Sequence, residues 1–336
     1  DFLALRLTGR AVTDRSSASR YLVYDLERNN WVAERLAEYD IDASTLPEVL
    51  PWGEIIGEIT SEVADEVGLP HSVKLAVGCH DSHAAAVGVG ISKVGHATLA
   101  CGSFENMVVL TDTMPTANML LRGLSSMPHP GKAKFGIISV SPTGNAVMNW
   151  ARKLVGVSLE GLEEQLAASG PDPSHVMAVP YLSGSMLYWE EGRQAQGALV
   201  GLTLATTELD VVKAFMESIA YEHINTLAIL ADEGVTVSRV RAVGGGARSG
   251  WWTQLKTDML GVPIEVVDQP EPGTLGAALL AGQAVGLFDD VAAQSARFTR
   301  VTRRHEPDEA RAALHRARLA RYRKLVPTLI DTTYAD

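Results

Sequence analysis

Three short segments of the chain hold residues whose types and spacing could do chemistry. The first is GCHDSH (78–83), which sets Asp81 directly after a strand-like run, VKLAV (73–77), and at the head of an alanine-rich run, SHAAAVGVGI. Open α/β sheets place ligand groups at the carboxyl ends of strands, and a carboxylate there can accept a proton or orient a hydroxyl. The plain alternative is a helix-capping aspartate beside two incidental histidines. A metal held by His80, Asp81 and His83 is disfavoured, because near-consecutive residues at a strand end rarely converge on one ion. The second segment, ACGSFE (100–105), joins HATLA (96–100) to NMVVL (106–110) as the turn of a predicted hairpin. Gly102 and Ser103 can offer backbone N–H groups and a hydroxyl to phosphate oxygens, or can form an ordinary turn. The third is VGGGARSGWW (243–252), where Gly244, Gly245 and Gly246 would let backbone approach a ligand and the following helix would offer N–H groups to an anion. Arg248 stands where GxGxxG needs a spaced glycine, and no GK[ST] follows, so neither a dinucleotide fingerprint nor a Walker loop is present. A nucleotide site of another kind and a tight strand-to-helix turn both remain open.

The elements that must position these residues follow from pattern. DFLALRLTG reads as a helix ended by Gly9, and WVAERLAEYDI (31–41) as an amphipathic helix with Trp31, Leu36 and Tyr39 on one broad face. Further on, a strand is expected near 135–139, helices near 144–155 and 158–168, and a long surface segment over 180–202. The run 206–234 is the longest periodic stretch. Val211, Phe215, Ile219, Ile224 and Leu227 recur at three to five residues, which predicts a helix burying one broad face. After it the order strand, glycine loop, helix, strand (263–268), loop, helix is an α/β pattern. EPGTLGAALLAG (271–282) suits close helix packing beside the glycine loop. The basic tail from Asp308 reads as a helix docked on its own domain through Leu314, Leu319, Tyr322 and Leu325, in preference to one lying on a membrane.

Composition bounds the rest. A chain of 336 residues suits two domains, and 46% hydrophobic with 21% charged residues is the balance of a soluble protein with a real core. Lys plus Arg is 29 against 40 Asp plus Glu, a formal charge of −11, which argues against a nucleic-acid binder. Two cysteines, Cys79 and Cys101, cannot make a zinc quartet or a disulfide framework and suit a reducing cytoplasm. No apolar run reaches the ~20 residues of a membrane span. The chain opens inside what reads as an element, so the expectation is a piece of a longer protein.

Taken together and in this order, the segments resemble the FGGY family of carbohydrate kinases. GGGARSGWWTQLKTDMLGVPIEV followed by EPGTLGAALLAG resembles the family's C-terminal signature, GCHDSHAAAVGVG its catalytic-aspartate segment, and ACGSFE its phosphate-contacting turn. DFLALRLTGRAVTDRSSAS, PYLSGS and GLTL also fit. The resemblance implies an α/β fold of two actin-like (ribonuclease H-like) domains with an incomplete first domain. Residues 1–115 would be the latter part of the sugar-binding domain and 116–336 the nucleotide-binding domain. It implies ATP-dependent phosphorylation of a hydroxyl on a small sugar (ketose) or polyol in the cytoplasm, with Mg²⁺, no nucleic-acid or membrane partner, and a possible homodimer. Asp81 would be the catalytic base and a contact for the metal, and His80 with Asp81 would touch substrate. Gly102 and Ser103 would face the transferred phosphate, and Gly244, Gly245, Gly246 and Ala247 would line the nucleotide. Many relatives carry a Gly-Thr-Ser type turn where this chain has Gly102, Ser103, Phe104 and Glu105. His80 resembles deoxysugar-kinase branches and His83 ribulokinase-like ones, so no sugar is named. The family's opening Asp-x-Gly-Thr/Ser turn has no counterpart here, and the 336 residues are expected to be inactive alone. A non-catalytic or regulatory binding protein of the same fold is the rival reading.

Overall fold

The structure, a computed structural model, describes residues 1–186 and 195–333. Helix α1 (Phe2–Thr8) ends as expected at Gly9, whose left-handed φ of 75° turns the chain. Strand β1 (Val12–Asp14) pairs in parallel with β2 (Glu48–Leu50), and β3 (Ile55–Glu58) runs antiparallel to β4 (Lys74–Ala76). A small core of Ala4, Val12, Ile56 and Val77 joins these pieces. The helix expected over 31–41 is shorter, Ala33–Glu38. Leu36 is buried, but Tyr39 falls at the C-cap and is 68% exposed, so it does not share the inward face.

Helix α2 (Asp81–Gly88) leads into the hairpin of β5 (His96–Cys101) and β6 (Glu105–Thr111), with Cys101 opposite Glu105 at its tight end. Next come β7 (Ser125–Pro128), β8 (Phe135–Ser141), α3 (Asn145–Leu154) and the long α4 (Glu208–Asp232). Then follow β9 (Arg239–Val243), α5 (Gly250–Leu260), β10 (Ile264–Asp268), α6 (Pro272–Ala284), α7 (Val291–Phe298), β11 (Arg300–His305) and α8 (Glu309–Thr333). Seven strands form one mixed sheet in the order β11-β10-β9-β5-β6-β8-β7, in which β5, β9 and β10 are parallel. The expected division at 115/116 falls between β6 and β7 along the chain and would part β5 and β6 from β9 and β8, the strands they pair with in this sheet.

Alternation along the strands builds two cores. Leu99, Met107, Val109, Ile137 and Val240 face Ile229 and Leu230 of α4. Val108, Leu110, Ile138 and Val243 face Ala86 of α2 together with Val89 and Ile91. Helix α4 starts from a capping box, Thr207 and Asp210 bonding each other's backbone N–H groups. It buries more than the one face its periodicity predicts: every residue from Val211 to His223 is buried, because sheet, α3, α5 and the strand Met177–Val179 surround it. Part of the segment expected to be surface is also structured. Ala198–Val200 pairs antiparallel with Met177–Val179, and Tyr181 is buried; residues 187–194 lie outside the described residues. The basic tail docks through Ala312, Leu319, Tyr322 and Val326, whereas Leu314, expected to dock, is 42% exposed.

One seam corrects the sequence reading. The close packing expected of helix α6 is made against α2. A Cβ on Gly88 would lie 1.9 Å from the Pro272 carbonyl oxygen, and one on Gly276 would lie 1.8 Å from that of Ala84. Only bare backbone on both helices permits that approach.

Candidate active site

Asp81 is the first residue of α2, and the capping position belongs to His80 instead, which overturns the capping reading for the aspartate. Its carboxylate is 89% exposed. Oδ1 accepts from the Ser82 N–H at 2.5 Å and the Ser82 hydroxyl at 3.2 Å, and His80 Nδ1 lies 3.0 Å away. Oδ2 has no partner among the described residues. A second tie fixes the backbone just before the aspartate. The His80 N–H donates to Ser16 Oγ at 2.8 Å, and Ser16 Oγ in turn donates to Asp14 Oδ1, which also accepts the Ser16 N–H at 2.7 Å. Ser16 is fully buried and Asp14 nearly so.

The parallel strands β5 and β9 end side by side, Ala100 opposite Val243, so the Gly102 turn and the Gly244 loop leave the same sheet edge. They interlock around Cys101 and Asn145. Gly244 has φ 95°, and a Cβ on it would meet the Cys101 carbonyl oxygen at 2.7 Å. Asn145 Nδ2 donates to that same carbonyl at 3.2 Å, and a Cβ on Gly246 would meet Asn145 Oδ1 at 3.1 Å. The carbonyls of Gly102 and Ser103 accept the N–H groups of Asn145 and Ala146 at the start of α3. Helix α6 follows β10, the third parallel strand, and therefore also begins at this edge. Its first turn crosses α2 close to Asp81, a Cβ on Gly273 lying 3.8 Å from the Asp81 carbonyl oxygen. Asp81, the Gly102 turn and the glycine loop thus share one end of the sheet, the end where open α/β sheets bind ligands.

Beside the glycine loop opens a cleft of about 450 Å³, walled by Gly245, Gly246, Asn145, Met148, Arg248 and Ser249 among others. Beneath the turn lies a buried ion cluster. Glu105 is fully buried, with Lys256 Nζ at 2.5 Å from Oε1 and His223 Nε2 at 2.5 Å from Oε2. Burial pushes the Glu105 carboxyl up, but Lys256 and His223 outweigh it and hold it below the ordinary carboxylate value. Lys256 also sits 3.8 Å from the centre of the Trp252 ring.

The family description for the C-terminal domain of FGGY carbohydrate kinases matches residues 115–285, and that for the N-terminal domain matches residues 1–88. The chain belongs to the FGGY family of carbohydrate kinases. It is similar to a glycerol kinase of Solidesulfovibrio magneticus, 33% identical over 309 residues that cover 90% of this chain and 60% of that protein. Among solved structures, a xylulose kinase of Rhodospirillum rubrum superposes with a TM-score of 0.89 at 25% identity, covering 98% of this chain and 66% of the other. A Plasmodium falciparum glycerol kinase with ADP shares the fold, with a TM-score of 0.84 at 21% identity over all of this chain and 66% of that one. The chain thus spans about 60% of the length of the glycerol kinase it matches. The neighbours carry the two-domain actin-like fold of the family.

Within that fold, the residues singled out by sequence are not equivalent. Gly245 and Gly246 wall the cleft, whereas Gly244 is pressed on Cys101 behind it. Ala247 is buried in the sheet core, and its carbonyl accepts from Arg303 and Thr253. Gly102 spends its N–H on the Phe104 carbonyl at 3.1 Å, so it offers no free donor, while Ser103 is exposed. Of the two residues that depart from the common turn, Phe104 points outward at 53% exposure and Glu105 enters the ion cluster. His83 turns away from Asp81 into the core, its Nδ1 2.9 Å from Nδ1 of His129. Sequence reasoning missed Asn145, Asp14, Ser16, Lys256 and His223. Asp14 and Ser16 sit in a segment whose only signal is its overall resemblance, and a lysine inside WWTQLKTDML reads as an ordinary helix surface. Among the described residues no three His, Cys, Asp or Glu side chains are placed to hold a metal ion, and no helix is long and apolar enough to cross a membrane.

Proposed function

We propose that this chain forms the catalytic cleft of an ATP-dependent kinase that phosphorylates a hydroxyl of a small sugar, a ketose, or of a polyol, with Asp81 as the base. The observation that carries the reading is the shared sheet edge: an exposed, anchored carboxylate, a serine-bearing turn and a glycine-walled cleft converge there. ATP would occupy the cleft beside Gly245, Gly246 and Asn145, with its γ-phosphate toward Ser103. Phosphoryl transfer passes through a loose transition state, so positioning contributes more than strong proton abstraction. Asp81 Oδ2, bare and solvent-facing, would align the acceptor hydroxyl and take its proton late in the transfer. His80, with its imidazole against Asp81, would border the substrate. Mg²⁺ is usually held by one or two carboxylates plus phosphate oxygens, and Asp81 is the residue that would contribute. When bound, the ion neutralises phosphate charge. Such a reaction belongs in the cytoplasm, where ATP is present.

The test is sugar-stimulated ADP release by the full-length protein over a panel of ketoses and polyols. Asp81→Asn should lower turnover by about 10²- to 10⁴-fold, the usual worth of a general base, while ADP binding persists. No sugar-stimulated release, or unchanged turnover in Asp81→Asn, would overturn the reading.

A further inference from the structure

The ion cluster of Glu105, Lys256 and His223 lies directly beneath the turn that carries Ser103. Glu105 is the first residue of β6, while Lys256 belongs to α5 and His223 to α4. Each carboxylate oxygen is therefore held from a different helix, Oε1 by Lys256 Nζ and Oε2 by His223 Nε2. Although burial opposes it, these two partners keep the Glu105 carboxyl ionised. The backbone around it is gripped as well. The Glu105 N–H donates to the Thr143 carbonyl at 2.9 Å, and the Gly102 N–H closes the turn on the Phe104 carbonyl at 3.1 Å. Gly144 packs so tightly here that a Cβ would lie 2.9 Å from the Ser103 carbonyl oxygen and 3.0 Å from Glu105 Cγ. A side chain clamped at Glu105, two residues from Ser103, thus fixes the whole turn.

The other end of the link reaches the cleft. The Lys256 ammonium sits over the ring of Trp252, one helical turn earlier on α5. Trp252 is a wall of the cleft beside the glycine loop, and a Cβ on Gly246 would lie 3.3 Å from its Cζ3. Contacts therefore run without a break from the Ser103 turn through Glu105, Lys256 and Trp252 to Gly246, from one side of the candidate site to the other. Stability alone does not account for the pair. Two charges taken out of water gain little over a well-packed apolar pair of similar volume. What charge-assisted bonds add is fixed geometry.

We propose that Glu105 and Lys256 are positioning residues for phosphoryl transfer: their ion pair ties the Ser103 turn to the wall of the nucleotide cleft and so holds the γ-phosphate in line with the acceptor hydroxyl. The inference rests on the kinase reading. Neither residue touches the nucleotide, because Glu105 is fully buried and Lys256 is 2% exposed. The glycine loop keeps supports of its own, Gly244 against the Cys101 carbonyl and Asn145 donating to it. Loss of the pair therefore loosens the turn and spares the cleft.

The experiment compares Glu105→Gln, Lys256→Met and the double variant in the full-length protein. Each single change strands one buried charge and should lower melting temperature and turnover together. The double change removes both charges, keeps an amide oxygen for His223 and lays a thioether on the Trp252 ring, so the melting temperature should return. Turnover should not return. In the double variant kcat for sugar-stimulated ADP release should stay about 10- to 100-fold down, the order expected of a reacting group displaced by up to ~1 Å, with ADP affinity unchanged. Turnover is counted per ADP-binding site, so the single variants answer the question if the double one is unstable. ³¹P NMR of bound β,γ-imido-ATP with Mg²⁺ reads the same displacement without turnover: the γ resonance should move in the variants and the α resonance should not. The proposal is overturned by a kcat that recovers with the melting temperature, by an unmoved γ resonance, or by ADP affinity falling as far as kcat. Absence of sugar-stimulated ADP release from the unmutated protein sinks the kinase reading instead, and the ³¹P comparison still decides the role of the pair. Failure of the unmutated protein to bind nucleotide overturns both.

Discussion

The Ser16 hydroxyl occupies a demanding place: it accepts from the backbone of His80 and donates to Asp14, and water does not reach it. It fixes the peptide that leads into α2, and on the proposed kinase reading that makes it a positioning residue for Asp81. Ser16→Ala should therefore lower kcat by about tenfold, equivalent to the ~1.4 kcal/mol of one misplaced hydrogen bond, with KM for ATP unchanged. Ser16→Thr should recover most of the loss, because the hydroxyl returns. Steady-state kinetics at saturating sugar checks both, and an equal fall in the thermal stability of both variants without a kcat difference would show a merely structural serine. The Asp14–Ser16–His80 chain is invisible in sequence because its Ser16–His80 link joins residues 64 apart and uses common residue types. The place of Asp81 at the head of a helix was legible from the alanine-rich run after it, but the strand before it, β4, pairs with β3 in a two-stranded piece and is not part of the seven-stranded sheet.

At the scale of elements, the α2–α6 seam is the feature most open to test. Gly276→Ala would drive a methyl into the Ala84 carbonyl, and the helices must separate. Overpacking of this kind costs about 1–3 kcal/mol, and the shift of α2 should also lower turnover. Thermal unfolding and kcat measured on the same variant should fall together, and Gly286→Ala, which meets nothing within 4 Å, tests whether left-handed strain alone does the same. The small-residue pattern of α6 announced close packing but not its partner, because a glycine stripe says nothing about which backbone it meets. Helix α4 and the β5–β6 hairpin were legible from periodicity and turn chemistry. Helix α7 and strand β11 were not. Strand β11, RVTRRH, is a sheet edge whose first five residues are exposed, and its register slips at Val266/Val267, so no two-residue alternation marks it.

For the molecule as a whole, buried carboxyls and imidazoles make stability depend on pH in opposite directions. Burial raises Glu217 to about 8, against the Ser174 N–H and the Arg318 and Lys213 cations, and raises Glu222 to about 7. Each keeps its proton when folded and loses it when unfolded above the ordinary value of 4.5, so each removes stability as pH rises toward 7 or 8. Burial instead lowers His83 and His315 to about 4, and these add stability as pH rises to the ordinary 6.5. Above 6.5 the imidazole contribution is complete and only the carboxyl effect continues. Urea unfolding should therefore show stability falling from pH 6.5 to about 8, with a shallower fall in Glu217→Gln.

The same burial makes the protein carry its own clock. Its two cysteines are both free, and neither is poised to react in the folded state. Cys101 lies 2% exposed under the glycine loop, with its thiol pushed up to about 12 by burial and by Glu105. Cys79, just ahead of α2, is less covered, and burial raises its thiol too. Alkylation requires a thiolate and access, so modification can proceed only as fast as each site opens. Mass spectrometry of a timed alkylation would then read two openings from one native chain, Cys79 reporting the approach to α2 and Cys101 the parting of the central sheet, with no label introduced.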